Sequence, residues 1–237
     1  MIRYSLTGIF WLFIISFGFS QPAKLDTAFI AQSVRNSVAL YTRETGGQSH
    51  LYNGSEYREY QSLNGEDPYF INEWIEGDVY YEAELYQNVP LLYDISIDKI
   101  ITEQLRNHKN ILLVADKVGY FVIKDHRFVM VQNKQIHHGF YEVAYDGKIK
   151  LYVRRQKNLQ EKIFGGTFKR EFENKTWYYI FRDGTYYQVK NRKSVLKVFS
   201  NHKSELVQFI SQNKIKFRSN FEKSASRVCE YYNDINQ

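Results

Sequence analysis

Apolar and polar residues alternate along the middle of this chain but recur at helical spacing towards both ends. Over residues 25–44 the apolar positions fall at i, i+4, i+8 and i+11: Ile30, Val34, Val38 and Tyr41. This stripe predicts a helix, which Gly46-Gly47 ends. Residues 48–190 predict strands, and residues 191–237 predict helices. We therefore expect an α+β, mainly antiparallel β fold with an N-terminal helix, a central β-meander of hairpins and C-terminal helices.

Short runs rich in Val, Ile, Leu and Tyr mark the strands of the central region. The clearest runs before residue 135 are Asp78–Ile101, Ile111–Val114, Tyr120–Lys124 and Arg127–Val131. Pro90 interrupts the first of them. Since proline cannot donate to a strand ladder, it predicts a sheet edge, a strand start or a bulge at that point.

Asp146-Gly147 predicts a hairpin between residues 140–145 and 148–154, because a two-residue turn needs residues that tolerate positive φ. That register pairs Glu142 with Leu151 on an otherwise apolar face. Glu142 is then either a buried carboxylate, or a bulge changes the register. We favour a bulge or an exposed position at the rim of the sheet.

Asp183-Gly184 predicts a second hairpin, between residues 177–181 and 186–189. Both of its faces are aromatic. One face carries Trp177, Tyr179, Phe181 and Tyr186, and the other carries Tyr178, Ile180, Tyr187 and Val189. Such a pair of strands is either covered on both sides or presents aromatic surface to a ligand. Trp177, Tyr179 and Tyr186 are therefore the candidate binding surface.

The last 47 residues predict three helices by apolar spacing. Ser194 is a candidate cap for residues 195–199, and two further helices are expected over residues 204–212 and 220–232. The third helix carries one apolar side, formed by Phe221, Ala225, Val228, Cys229 and Tyr232. We expect Cys229, the single cysteine, to be buried there and chemically inert, and no disulfide can form within one chain.

Residues 1–20 predict a signal peptide, with Arg3 before an apolar core over residues 6–17 and small residues at 18 and 20. The core has about a dozen residues, whereas a membrane-spanning helix needs about 20. Retention as an anchor is the alternative, and no later segment is apolar enough to span. We expect residues 21–237 to form a single exported domain that is periplasmic, secreted or associated with the cell surface.

Charge is distributed unevenly. Residues 21–105 hold 5 basic and 14 acidic residues, whereas residues 106–237 hold 26 basic and 12 acidic residues. The basic half suits an anionic or glycan component of the cell envelope as a partner. The alternative is that the charges are simply solvated or that the two halves face each other, and we favour this alternative. The export signal argues against nucleic acid. Aromatic residues, at 17% of the chain, suit both half-buried sheets and sugar contacts.

The sequence contains no established catalytic or cofactor motif. It lacks a nucleophile elbow, a phosphate loop and a zinc pattern, so we predict no catalytic residue, cofactor or metal ligand. A glycosidase needs two carboxylates across a cleft. The available pairs are Glu82 with Glu84, which we expect to alternate along one strand and share a face, and Asp94 with Asp98. Asp94 is better explained as a turn residue.

The chain resembles a family of secreted proteins of unknown function from Gram-negative bacteria. The matching segments are Leu51-Tyr52-Asn53-Gly54 with Glu56-Tyr57 and Tyr60, Asp67-Pro68-Tyr69-Phe70, Gly77 with Val79, Tyr81, Tyr86 and Val89–Asp94, Gly139-Phe140-Tyr141, and Lys193–Tyr232. Where such sequences usually carry Asp-Gly, this chain has Glu82-Ala83, which argues against a type I′ turn there. The family has no assigned activity, so the resemblance implies no site residue.

Two functions from different classes remain. The first is a non-catalytic binding or interaction protein of the periplasm or cell surface, indicated by export, aromatic sheet surface and the lack of catalytic motifs. The second is a hydrolase that acts on envelope polysaccharide through a pair of carboxylates. The binding protein is the favoured prediction.

Overall fold

A computed structural model of the chain describes residues 32–34, 36–37, 50–60, 67–104, 107–165 and 167–236. The chain divides into two units, Met1–Val38 and Ala39–Gln237. In the first unit the described residues are helical, and Gln32 Nε2 donates a hydrogen bond to Asn36 Oδ1 at 3.3 Å. The rest of the helix predicted over residues 25–44, like the predicted signal peptide, lies outside the described residues.

The described strands of the second unit form one antiparallel sheet. They are β1 (Ser55–Glu56), β2 (Ile75–Tyr81), β3 (Glu84–Asp94), β4 (Lys99–Gln104), β5 (Lys109–Leu112), β6 (Val118–Ile123), β7 (His126–Val131), β8 (Gly139–Asp146), β9 (Lys150–Phe164), β10 (Thr167–Arg182) and β11 (Thr185–Val189). Their order across the sheet is β1-β5-β4-β3-β2-β6-β7-β8-β9-β10-β11. The predicted mainly antiparallel β fold is confirmed.

Strands β9 and β10 are longer than the sequence indicates, at 15 and 16 residues. They pair with each other from Lys150 and Phe181 out to Phe164 and Thr167. Charged residues fill much of the outer part of this ribbon, where Arg170 Nε lies 3.0 Å from a Glu161 carboxylate oxygen. Because the outer ribbon has no long apolar run, the sequence pattern did not define its strands.

Three helices follow the sheet: α1 (Arg192–Val198), α2 (Lys203–Gln212) and α3 (Phe221–Asp234). The C-terminal helices are thus confirmed, with one correction. Asn191, not Ser194, caps α1, and Ser194 Oγ accepts a hydrogen bond from the Asn191 N–H at 3.1 Å, which completes a capping box. Among the described residues, none of the helices combines the length and apolar content needed to cross a bilayer.

The helices cover one face of the sheet at its β8–β11 end. The core between them contains, among others, Leu151, Ile180 and Val189 from the strands and Val195, Leu206, Ala225, Val228 and Cys229 from the helices. Further along the same face, Tyr93, Phe121, Phe128 and Phe140 form a second core. The rings of Phe121 and Phe128 stack at 4.8 Å, and Phe121 meets Phe140 edge-on at 5.1 Å. These contacts join distant strands, so the sheet curls around this second core.

The turn between β3 and β4 closes this curl by contacting β8 and β9. The Lys157 N–H donates to the Ile95 carbonyl at 3.3 Å, and the Phe140 N–H donates to Asp98 Oδ2 at 3.2 Å. Gly139 makes the approach possible, because its φ is +146° and a Cβ there would lie 2.1 Å from Asp98 Oδ2. A glycine at the start of β8 is therefore part of the closure.

The predicted two-residue turn at Asp146-Gly147 is wrong. Asp146 pairs with Lys150, so residues 147–149 form the loop, and the register shifts between Val143 and Tyr145. The expected bulge is therefore confirmed, and it places Glu142 opposite Val153. The expectation of an exposed rim position is wrong, because Glu142 is only 5% exposed.

The turn between β2 and β3 also corrects a prediction. Tyr81 pairs with Glu84, which leaves Glu82 and Ala83 as a two-residue turn with φ of 50° and 66°. Both residues have the left-handed backbone of a type I′ turn, although neither is glycine. The Glu82 N–H donates to the Lys117 carbonyl at 2.9 Å, and the Glu82 carboxylate pairs with the Lys117 ammonium. Contacts with a neighbouring segment therefore hold a turn that local preference disfavours.

Replacing Ala83 with glycine is expected to raise the free energy of unfolding by about 0.5–1 kcal/mol, because it removes the left-handed strain at that position. Urea unfolding measures the change. The matched control is Gly184→Ala in the Asp183-Gly184 turn, where φ is 49° and 76°. The free energy of unfolding of that variant is expected to fall by a similar amount. A lower free energy of unfolding in Ala83→Gly would show that left-handed strain at Ala83 is not relieved by glycine.

Candidate functional site

The three predicted surface residues lie on one face of the β10–β11 hairpin, opposite the helices. The predicted turn and faces are confirmed, since Arg182 pairs with Thr185 and Phe181 pairs with Tyr186. With residues of β7–β9 these rings form one group, which we call the aromatic cluster: Val131, Tyr141, Tyr152 and Tyr179, with Val129, Ile136, Val143, Trp177, Phe181 and Tyr186 packed against them. The fold thus brings Trp177, Tyr179 and Tyr186 together.

The members of the aromatic cluster differ in exposure. Tyr179 is 8% exposed and its ring meets that of Tyr141 edge-on at 5.7 Å. Trp177, Phe181 and Tyr186 are half-buried and form what we call the aromatic rim. Tyr179 therefore supports the rim from below, and the rim presents the ring surface that a ligand can reach.

Burial raises the pKa of several tyrosines in the aromatic cluster. Desolvation raises the pKa of Tyr141 and that of Tyr152 to about 12, and it also raises the pKa of Tyr179 and Tyr186. These phenols are neutral at ordinary pH. They can therefore act as hydrogen-bonding groups and apolar surface, and they are poorly suited to be general bases.

Hydrogen bonds from the loop of residues 132–138 connect the β10–β11 turn with Tyr141, two parts of the aromatic cluster. Gln135 Nε2 donates to the Gly184 carbonyl at 3.3 Å, and Gln135 Oε1 accepts from the Tyr186 N–H at 2.9 Å. Tyr141 Oη donates to the His137 carbonyl at 2.8 Å. The loop between β7 and β8 therefore holds the β10–β11 turn, which fixes the position of the rim.

The same loop borders an open depression of about 550 Å³, which we call the polar depression. Its lining residues are Asp116, Gln132, Asn133, Lys134 and His138, all of them exposed. His138 Nε2 lies 3.8 Å from Asp116 Oδ1, beyond hydrogen-bonding distance. The sequence pattern did not single out these residues, because they come from two separate segments and have no periodicity.

Arg154 connects the polar depression to the rim. Its NH1 group lies 3.5 Å from the His138 carbonyl, and its guanidinium lies 5.5 Å from the centre of the Tyr141 ring. In the strand register Arg154 sits directly across from Trp177. The ring surface of the rim and the polar groups of the depression are therefore neighbours on one side of the sheet.

The carboxylates considered for glycoside hydrolysis are occupied within the fold. Asp94 is fully buried and accepts hydrogen bonds from Tyr57 Oη at 3.1 Å, Ser96 N at 2.8 Å and Ser96 Oγ at 2.7 Å. The interpretation of Asp94 as a turn residue is confirmed. Asp98 accepts from Tyr93 Oη at 2.6 Å and lies 3.3 Å from Arg154.

The other predicted pair is separated by the β2–β3 turn. Glu82 lies in the turn itself and not on a strand, so the expectation that Glu82 and Glu84 alternate along one strand is wrong. Glu84 accepts a hydrogen bond from Tyr86 Oη at 2.9 Å. All four carboxylates thus have internal partners.

Four residues that sequence reasoning left apart form a charge cluster: His126, Glu142, Arg155 and Glu222. His126 Nδ1 lies 2.5 Å from Glu142 Oε1, and Arg155 donates to Glu142 Oε2 from Nε at 2.8 Å and from NH2 at 2.6 Å. The same NH2 group reaches Glu222 on α3 at 2.8 Å. Burial lowers the pKa of Arg155, but the two carboxylates outweigh it and raise that pKa. The cluster joins β7, β8 and β9 to α3.

The chain matches no family model, no curated protein and no solved structure. The resemblance to a family of secreted proteins is therefore still a prediction. What the protein does must be argued from the geometry of its own residues.

The single cysteine lies in the core, away from the aromatic rim. Cys229 is buried between α3 and the sheet, which confirms its predicted burial, and burial raises the pKa of its thiol. Within the part of the chain that the structure describes, no three His, Cys, Asp or Glu side chains are grouped so that they could hold a metal ion. The aromatic rim and the polar depression are the best-supported candidate site.

Proposed function

We propose that this chain is an exported, non-catalytic binding protein that holds a glycan against the aromatic rim. The observation that carries the proposal is the position of Trp177, Phe181 and Tyr186. Their rings are half-buried on the sheet face opposite α1, α2 and α3, and a polar depression lies beside them. The signal peptide predicted over residues 1–20 supports a role in the cell envelope.

Sugar rings suit such a surface because they have an apolar face and a polar edge. Aromatic side chains bury the apolar face over a large area and lose little entropy, since a ring has only two free torsions. The edge hydroxyls need donors and acceptors, which Asp116, Gln132 and Asn133 supply in the depression. The combination of ring surface and amide or carboxylate groups therefore fits a carbohydrate better than a purely apolar ligand.

The hydrolase alternative is less well supported. It requires two carboxylates that face the ligand across a cleft, one as the acid and the other as the base or nucleophile. Asp98 and Asp94 accept hydrogen bonds from Tyr93 and Tyr57 and hold turns in place. Diverting them to catalysis would break contacts that close the sheet, so binding without chemistry is the better proposal.

The test is a glycan array with the purified protein, followed by calorimetry on the best ligand. Tyr186→Ala and Trp177→Ala are each expected to weaken binding about tenfold, which corresponds to about 1.4 kcal/mol. The matched control is Tyr187→Ala, because Tyr187 is the next residue, 40% exposed and on the opposite face. Thermal unfolding of each variant separates lost contact from lost fold.

The control decides the outcome. Unchanged binding in Tyr187→Ala together with weakened binding in Tyr186→Ala supports the rim. Equal losses in the two tyrosine variants, or no binding to any glycan on the array, would refute the proposal.

A further inference from the structure

We propose that the polar depression binds the anionic group of an acidic sugar, so that the ligand of this protein is an acidic glycan. This inference rests on the proposed function and adds the chemical class of the ligand and the residue that selects it. Lys134 is that residue, with Asn133, Gln132 and His138 beside it.

Lys134 has no counterion among the described residues, whereas several other cations of the chain do. Lys117 pairs with Glu82, Lys150 pairs with Asp146, and Arg154 lies 3.3 Å from Asp98. By contrast, no acidic side chain of the described residues lies within 4.0 Å of the exposed Lys134 ammonium. An anion brought to Lys134 therefore has no internal carboxylate to displace.

The rest of the lining supplies hydrogen-bond donors. Asn133 Oδ1 accepts from the Gln135 N–H at 2.7 Å, so the free polar group of Asn133 is its Nδ2 donor. Gln132 adds a second amide, and His138 Nε2 is not hydrogen-bonded to Asp116 at 3.8 Å. A carboxylate is an acceptor at both oxygens, so it satisfies several of these donors together. Asp116 is the acceptor left for a sugar hydroxyl.

Arg154 lies between the two parts of the site. Arg154 contacts the His138 carbonyl on one side and lies across from Trp177 on the other, and cross-strand neighbours are about 5 Å apart. One sugar ring can thus stack on the rim while the anionic group of the same chain lies in the depression. The net charge of +14 over residues 106–237 also attracts an anionic polymer to this half of the protein.

The test compares ligands that differ only in charge. Calorimetry at low salt uses a set of oligouronates with galacturonate, glucuronate and mannuronate backbones. Each is measured beside the same oligosaccharide after reduction of its carboxylates to primary alcohols. We expect at least one acidic form to bind about tenfold or more tightly than its reduced form, because one charge-assisted hydrogen bond is enough to give a difference in affinity of about that size. Added salt is expected to narrow this difference.

Lys134→Gln is expected to remove most of the preference and to leave binding of the reduced oligosaccharides unchanged. Lys223→Gln is the matched control, because it removes the same charge from an exposed lysine on α3. Equal affinity for acidic and reduced forms would overturn this inference and leave the proposed function standing, whereas no binding of either form would overturn both. A preference that survives Lys134→Gln, or falls equally in Lys223→Gln, would refute the assignment to the depression.

Discussion

Replacing Arg155 with methionine is expected to lower the free energy of unfolding by about 3 kcal/mol. The guanidinium makes two hydrogen bonds to Glu142, a side chain 6% exposed, and a third to Glu222 on α3. Methionine fills a similar volume but removes the guanidinium that both carboxylates share, and the buried Glu142 keeps only the His126 ring beside it. Uncompensated buried charge costs much more than a lost surface contact. Urea unfolding monitored by tryptophan fluorescence measures the change.

Two further variants show whether the effect comes from the buried charge. Arg170→Met removes an arginine from an exposed pair with Glu161 and is expected to cost no more than about 1 kcal/mol. Glu142→Gln in the Arg155→Met background is expected to recover part of the loss, because it removes the unpaired charge. If Arg155→Met costs no more than Arg170→Met, the charge cluster does not stabilise the fold in the way we describe.

Replacing Gly77 with alanine is expected to cost about 3 kcal/mol, at the upper end of the range for overpacking. Gly77 is buried in β2, and a Cβ there would lie 2.2 Å from the Val122 carbonyl oxygen and 3.0 Å from Leu91 Cδ1. The nearer atom belongs to the backbone of β6. The collision can therefore be relieved only if β2 and β6 move apart, because rotation of a side chain does not move a backbone oxygen. Urea unfolding and the proton NMR dispersion of core methyl groups follow the change.

The matched control for Gly77→Ala is Gly119→Ala in β6. A Cβ at Gly119 would lie 2.8 Å from the half-buried ring of Tyr80, which can tilt away, and 3.8 Å from the Tyr80 carbonyl oxygen, which is an ordinary contact. We expect this variant to lose less than about 1 kcal/mol, since alanine also restrains the unfolded chain. Equal losses in the two variants would show that the backbone collision at Val122 is not the cause.

Local sequence was sufficient to predict the structure where one short segment contains all the residues that determine it. Asp183-Gly184 supplies the positive φ that its turn needs, so the turn and the two faces of the β10–β11 hairpin follow directly. Apolar spacing in α3 similarly gives its buried side. The placement of Trp177 and Tyr186 on one face could therefore be predicted without knowledge of the fold.

Contacts between distant segments decided the cases that local sequence predicted wrongly. Glu82 and Ala83 adopt a type I′ turn because the strands on both sides are fixed and Lys117 holds Glu82. Glu142 is buried because a bulge sets its register and because Arg155 and His126 pair with it. The partners in such an ion pair are distant from each other in the sequence, so neither periodicity nor turn preference can predict the pair.

The candidate site divides in the same way. The rim comes from two adjacent strands whose alternation is visible in the sequence, whereas the depression joins Asp116 to the 132–138 loop through the path of the sheet. The sequence by itself determined most of the strand regions outside the outer β9–β10 ribbon, the C-terminal helices and the aromatic face, because each depends on neighbours a few residues apart. Only the tertiary structure decided which charges are buried together and which lysine faces an open depression, because those depend on how the sheet curls and closes.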